Sequence, residues 1–363
     1  MARLVDVDFG NPSSVHLEGR AARGLLERAR EAVARALGAE STSLVLTSSA
    51  TEANNLALKG AAWAMSKLGR PEVAVSATEH PSVIAPALWL REFGICDQLF
   101  TIPVDARGQV CLERLEEALS ERMGLVSVIA ANNETGALAP VRQIADLVHA
   151  HGALLHVDAT QALGRVPVDV QAWDVDMLTL SSHKLGGPRG AGALWVRKGV
   201  ELVPLLHGGH QERNRRGGTE DVAAAVGFGA VCEEASQGLA EEAERLATLR
   251  DLLWQGLDAL GGVARLGEPS LTLPNTLCVT FEGLEAETLL MALDIAGMSV
   301  SAGSACTAGS LEPSHVLLAM GVEDSRARSA IRFSLGWSNG AEDIEAALRR
   351  IPELIVRTRE LAA

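Results

Sequence analysis

The feature that most constrains this chain is an alternation. Short apolar runs, each the length of one strand, are separated by stretches with helical spacing. LVLTS (44–48) precedes a helix predicted from Glu52 to Met65, and VAVSA (73–77) precedes one from about Ser82 to Glu92. A helix over 112–121 leads into LVSVIAA (125–131), one over 141–150 leads into LLHVDA (154–159), and MLTLSS (177–182) and GALWVR (192–197) extend the series. These strands are mostly apolar along their whole length, not at every second residue. That pattern predicts an α/β fold with a mainly parallel sheet and helices on both faces.

The rhythm changes after about residue 235. A charged helical stretch over 233–260 is followed by the strand-like TLCVTFEG (276–283), a helix over 285–296, the small-residue loop SAGSACTAGS (301–310), the strand-like IRFSL (331–335) and a helix over 341–361. This predicts a large domain over 11–235 and a smaller α+β domain over 236–363, with residues 1–10 associated with the smaller one. At 363 residues and 47% hydrophobic, the chain can fill both cores. Its net charge of −14 repels phosphate backbones and anionic lipid, so direct nucleic-acid and membrane partners are not expected. No run of ~18 apolar residues occurs, and the opening MARLVDVDFGNP has no signal-peptide character. A cytoplasmic protein is the default expectation.

The five cysteines are odd in number and form no CxxC pair, so neither a disulfide framework nor a zinc site is expected. The four lysines, Lys59, Lys67, Lys184 and Lys198, shorten the search for a catalytic amine. In sheets of this kind ligands sit where strands end and helix N-termini point. SSATEANN (48–55) could hold a phosphate on free N–H groups with the Thr51 hydroxyl, although a plain Thr N-cap explains the same residues. In HVDATQ (156–161), a buried Asp158 could pair with a pyridinium nitrogen and Gln161 could bond a ring oxygen; an Asp capping the next turn is the simpler account. In SSHKLGGPRG (181–190), Lys184 in a partly desolvated turn could form a Schiff base, and Ser181 and His183 could bind phosphate; taken alone, a surface lysine is the better reading. Cys306, among tiny residues, could attack as a thiolate, whereas Cys278 in an apolar strand reads as structural. His80 in TEHPSV could stack on a flat ring and move protons, and Arg332 could clamp a carboxylate; a capping histidine and a paired sheet-edge arginine are the plain alternatives.

Together these residues resemble the cysteine desulfurases, in the class-V aminotransferase group of fold type I pyridoxal-phosphate (PLP) enzymes. The resemblance runs in order through GNPSSVH (10–16), TSSATEANN (47–55), TEH (78–80), NNETG (132–136), HVDATQ, SSHKLGGPRG, GGHQERNRRGGTEDV (208–222), GSACT and IRFSLG. It implies a seven-stranded, mainly parallel large domain that binds PLP. Lys184 is implied to hold PLP covalently, Asp158 to pair with its ring nitrogen, and Gln161 and Asn133 to contact the ring side. His80 is implied to stack on the ring and act in proton transfer. Ala50, Thr51, Ser181 and His183 are implied to hold the phosphate, joined by Thr219 from a partner subunit of a homodimer. Asn11 and Arg332 are implied to bind the carboxylate of L-cysteine. Cys306 is implied to take the sulfur as a persulfide, leaving L-alanine. Its loop resembles the branch with a long mobile Cys loop, which passes sulfur to scaffold or tRNA-modifying acceptor proteins. The family's usual opening strand, with an LD-x-x-A-T-T pattern, does not precede Gly10 here. A selenocysteine lyase, a cystine C–S lyase or a catalytically impaired PLP-binding partner protein share most of these motifs.

Overall fold

A computed structural model describes residues 10–303 and 312–362. The chain divides into two compact units. The first comprises the described residues up to Ile102, together with Leu112–Ala130 and Ala139–Leu239. The second comprises Pro103–Cys111, Ala131–Leu138 and the described residues from Ala240 onward. Residues 1–9, for which an association with the smaller domain is expected, lie outside the described residues.

The first unit is built on seven strands: β1 (Leu44–Thr47), β2 (Glu72–Ser76), β3 (Gln98–Ile102), β4 (Met123–Ile129), β5 (Leu154–Asp158), β6 (Met177–Ser181) and β7 (Gly192–Val196). Their order across the sheet is β1-β7-β6-β5-β4-β2-β3. Only β7 runs against its neighbours; β1 pairs antiparallel to it and so points the same way as the other five. The helices of this unit are α1 (Leu17–Arg35), α2 (Ala50–Lys67), α3 (Pro81–Glu92), α4 (Leu112–Ala118), α5 (Val141–Ala150), α6 (Val170–Trp173) and α7 (Val222–Ser236). Strands β2, β4, β6 and β7 are buried at every position, as their unbroken apolar runs require. Val45, Leu56, Leu58, Val73, Leu90, Leu125 and Leu194 fill one core between the sheet and its helices. Truncating one of these leucines to alanine costs about 2–5 kcal/mol through lost contacts and the cavity left behind.

The second unit has four antiparallel strands in the order β10-β11-β9-β8: β8 (Val263–Arg265), β9 (Thr276–Phe281), β10 (Ser301–Ala302) and β11 (Ala330–Ser334). Its helices are α8 (Leu239–Asp258), which begins at the last residue of the first unit, α9 (Ala286–Ile295), α10 (His315–Ala319), α11 (Asp324–Ala327) and α12 (Ala341–Ala362). Leu253, Leu257, Val279, Phe281, Leu289, Ile331 and Ile351 form its core.

Two local expectations change. The stretch over 233–260 is not one helix: α7 ends at Ser236 and α8 starts at Leu239, with Gly238 between them at φ 73°. That left-handed conformation suits glycine and ends a helix. The sheet also gains β3, whose sequence QLFTI is half exposed at the sheet edge and lacks the apolar run of the inner strands. Among the described residues, no helix is long and apolar enough to cross a membrane.

Candidate functional site

Within the first unit, strand register brings the expected motifs to one edge of the sheet. Thr47 of β1 faces Gly192 of β7, which in turn faces Ser181 of β6. Asp158 of β5 lies between Thr179 of β6 and Ile129 of β4. The carboxyl ends of these parallel strands therefore meet, which is where open α/β sheets bind ligands. A Cβ at Gly192 would lie 2.5 Å from the carbonyl carbon of Ser49. Only glycine lets β7 begin so close under the first turn of α2.

That first turn is capped by the Ser49 side chain, with Glu52 reaching back past it to Ser48. The Ser49 hydroxyl accepts the Glu52 N–H at 3.2 Å, and Glu52 Oε2 accepts the N–H and hydroxyl of Ser48 at 2.8 and 2.6 Å. Arg216 donates to Glu52 at 2.8 and 3.2 Å. Burial works to raise the Glu52 carboxyl, but the bonds from Arg216 and Ser48 outweigh it and hold the group below its usual range. An α-helix gives the N–H groups of its first residues, here Ala50 and Thr51, no intrahelical acceptor, and its dipole favours an anion there. Thr51 is exposed; Thr219, also exposed, lines a hollow with Thr47, Ser48 and Arg216.

Asp158 is 3% exposed. Its Oδ1 accepts the Thr160 N–H at 3.0 Å and its Oδ2 accepts Asn54 Nδ2 at 2.8 Å. Glu79 is fully buried, and burial together with the nearby Asp158 charge pushes its carboxyl well above the ordinary range despite hydrogen bonds from Ser76 and the Ile129 N–H. His156 sits between Ser127 at 2.8 Å and Thr179 at 3.0 Å, and burial lowers its pKa to about 4, so its ring is neutral. Among the described residues, no salt bridge reaches Asp158. A buried carboxylate held only by neutral donors calls for a cation, and a protonated pyridine nitrogen is a group that fits. His80 is the N-cap of α3: its Nδ1 accepts the Ser82 N–H at 3.1 Å and lies 2.7 Å from the Ser82 hydroxyl.

Lys184 lies on a single 3-10 turn, Ser182–Leu185, directly after β6; the turn ends at Gly186, φ 84°. His183 Nδ1 lies 2.8 Å from the Ser181 hydroxyl. Partial burial, then the charges of Lys184 and Arg189, lower the His183 pKa. The side chains of Lys184 and His183 are exposed. Gln161 is half-buried, three residues beyond Asp158.

Asn133 and Arg332 meet in the second unit. Arg332 donates to the Asn133 carbonyl and, at 3.1 Å, to the Ser301 hydroxyl. Beside them, buried Glu134 accepts the Ser314 hydroxyl at 2.5 Å. Asn11 is exposed at the start of the described chain, where its Oδ1 accepts the Ser13 N–H at 2.9 Å. Cys306 lies outside the described residues. Cys278 is buried in β9, and burial pushes its thiol up to about 12.

Sequence reasoning passed over Asn54, Ser82 and Glu134. Asn54 shares a buried helical stripe with Leu58, Ala61 and Met65, and a polar residue on such a stripe is the signal that could have exposed it.

The family described as Aminotransferase class-V matches residues 6–347. The chain is 46% identical over 365 residues to a cysteine desulfurase of Cereibacter sphaeroides, covering 100% of this chain and 92% of that protein. It is 44% identical over 356 residues to one of Gluconacetobacter diazotrophicus, covering 98% and 88% respectively. A solved structure of a NifS-like protein superimposes with a TM-score of 0.91 at 37% identity, covering 98% of this chain and 94% of that one.

Proposed function

The chain belongs to the class-V aminotransferase family, and on that premise we propose how its own residues carry out the reaction of a PLP-dependent cysteine desulfurase, from L-cysteine to L-alanine. The observation that carries this residue-level reading is the buried Asp158 carboxylate, held by neutral donors at the strand edge from which the Lys184 turn emerges.

When bound, PLP supplies an electron sink for the substrate's α-carbon. The proposed holder is the large domain over 11–235, apart from the stretches 103–111 and 131–138 that group with the second unit, and 236–363 is the proposed smaller domain. The Lys184 amine would anchor the coenzyme, and Asp158 would pair with its protonated ring nitrogen. The N–H groups of Ala50 and Thr51, with the Thr51 hydroxyl, Ser181 and His183, hold its phosphate. Gln161 and Asn133 would lie on the ring side, and His80 would face the ring and could hold or move a proton. Asn11 and Arg332 orient the substrate carboxylate. The Cys306 thiolate attacks the substrate sulfur. An S–S bond forms as the C–S bond breaks, and the electron pair stays with the carbon fragment, which gains a proton and leaves as alanine.

The exposure of Lys184, His183 and Thr219 favours a homodimer in which a second copy covers the site and offers its own Thr219 to the phosphate. The persulfide passes to an acceptor protein, a scaffold or tRNA-thiolation factor, with iron–sulfur cluster assembly as one destination and the cytoplasm as the setting. The test is direct. Borohydride reduction of PLP-loaded protein should fix the coenzyme on residue 184, and L-cysteine should yield alanine and a persulfide on residue 306. Coenzyme fixed elsewhere, or alanine without that persulfide, overturns the reading.

A further inference from the structure

We propose that Asn54 and Ser82 are positioning residues that align Asp158 and, through a shared hydrogen-bond chain, hold the neutral ring of His80 with its proton on Nε2. The proposal rests on the reading above and adds to it two residues and a stated proton position.

The direction of each hydrogen bond follows from donor chemistry. A backbone N–H can only donate, so the Ser82 N–H at 3.1 Å requires a lone pair on His80 Nδ1. The Ser82 hydroxyl, 2.7 Å from the same nitrogen, then donates as well. Its oxygen accepts one N–H of Asn54 Nδ2 at 2.9 Å, and the other N–H goes to Asp158 Oδ2 at 2.8 Å. Flipping the Asn54 amide would turn its oxygen toward the carboxylate and leave the Ser82 hydroxyl with two acceptors for one proton. The orientation is therefore fixed from both ends.

Asn54 is wholly buried and Ser82 nearly so, so neither group can exchange its partner for water. One amide thus orients the carboxylate that faces the coenzyme and the hydroxyl that sets the histidine. The links join α2, the first turn of α3 and the end of β5. The consequence for chemistry is specific: the neutral His80 ring offers a hydrogen-bond donor at Nε2, not an acceptor.

NMR of protein labelled with 15N-histidine tests this, with His80→Gln to assign the ring, at about pH 8, above the ordinary histidine range. Both PLP-loaded and PLP-free protein are measured. The expected result is a pyridine-type Nδ1 and a pyrrole-type Nε2, with the Nδ1 signal shifted in Ser82→Ala, where the hydroxyl donor is lost, and shifted less in Asn54→Ala, while the backbone N–H of residue 82 stays in place. Asn54→Ala should also weaken PLP retention by about tenfold through loss of support for Asp158, whereas Ser82→Ala should leave retention unchanged. A protonated Nδ1 in the unsubstituted protein, or ring signals unmoved in both variants, overturns the proposal. Failure of residue 184 to hold PLP would sink the earlier reading instead, because the ring signals are also read without coenzyme.

Discussion

Arg30 and Glu212, 182 positions apart, form a two-armed ion pair with both arms at 2.7 Å, buried beside the open edge of the large sheet. Arg30 also donates to the Leu44 carbonyl at 3.1 Å, and Glu212 accepts the Leu46 N–H at 2.9 Å. Among the described residues β1 is an edge strand with no strand pairing on its outward side, and the ion pair covers these backbone groups. Glu212, Arg213 and Asn214 adopt φ values of 46°, 56° and 65°, a left-handed run that non-glycine residues avoid. The buried pair holds that run in place, upstream of Arg216 and Thr219.

Glu212→Gln keeps the shape but takes away the two-armed counter-ion of the buried Arg30, leaving it only the longer 3.6 Å pairing with Glu27. Removing one partner of a buried pair costs about 3–5 kcal/mol. The thermal midpoint of the PLP-loaded variant should fall by several degrees, and PLP retention should fall with it, since the loop carries Arg216 to Glu52 at the first turn of α2. An unchanged midpoint would show that the pair is dispensable.

Asp158→Asn keeps the side-chain volume but removes the charge that a protonated ring nitrogen needs. A charge-assisted bond lost in a buried site corresponds to roughly 10- to 100-fold in affinity. Equilibrium dialysis should show PLP retention weakened by that order, and alanine formation from cysteine should fall further. Retention at the unsubstituted level would place the ring nitrogen elsewhere.

The large sheet and its ligand edge were legible because inner strands buried on both faces must be apolar throughout, and because Lys184 and Asp158 stand just where such runs stop. β3 escaped notice because a half-exposed edge strand needs no such run. The roles of Asn54 and Ser82 were hidden for a different reason. Asn54 bonds Ser82 28 positions away and Asp158 104 positions away, and only the strand order brings these together. Local pattern reports which face is buried, not which polar partner waits there.

Cysteine variants should separate reactivity from packing. Cys306→Ala should abolish the protein persulfide, read by intact-mass spectrometry after addition of cysteine, while PLP retention stays normal. Cys278→Ser should keep the persulfide, because the Cys278 thiol is buried and held near 12, far from the reactive range. Its cost should appear as stability, about 1–3 kcal/mol for a hydroxyl left without a partner in the strand core. Loss of persulfide in Cys278→Ser with the fold intact would reverse the two roles.

Glu134 should make the stability of the second unit depend on pH. Burial raises its pKa to about 7, against the opposing Ser314 hydrogen bond and the Arg332 charge. Cys278 on β9 also faces it. The unfolded carboxyl titrates near 4.5, so between that pH and about 7 the folded state binds the proton that the unfolded state has lost. The Glu134 contribution to stability therefore falls as pH rises through this window, by an amount on the order of 3 kcal/mol, and does not change further on either side. Glu134→Gln cannot titrate, yet its amide oxygen still accepts the Ser314 hydroxyl that caps α10. The variant should match the unsubstituted protein near pH 5 and exceed its thermal midpoint near pH 8, with the slope between them reduced. Parallel midpoint curves for the two proteins would show that the Glu134 proton is not coupled to folding.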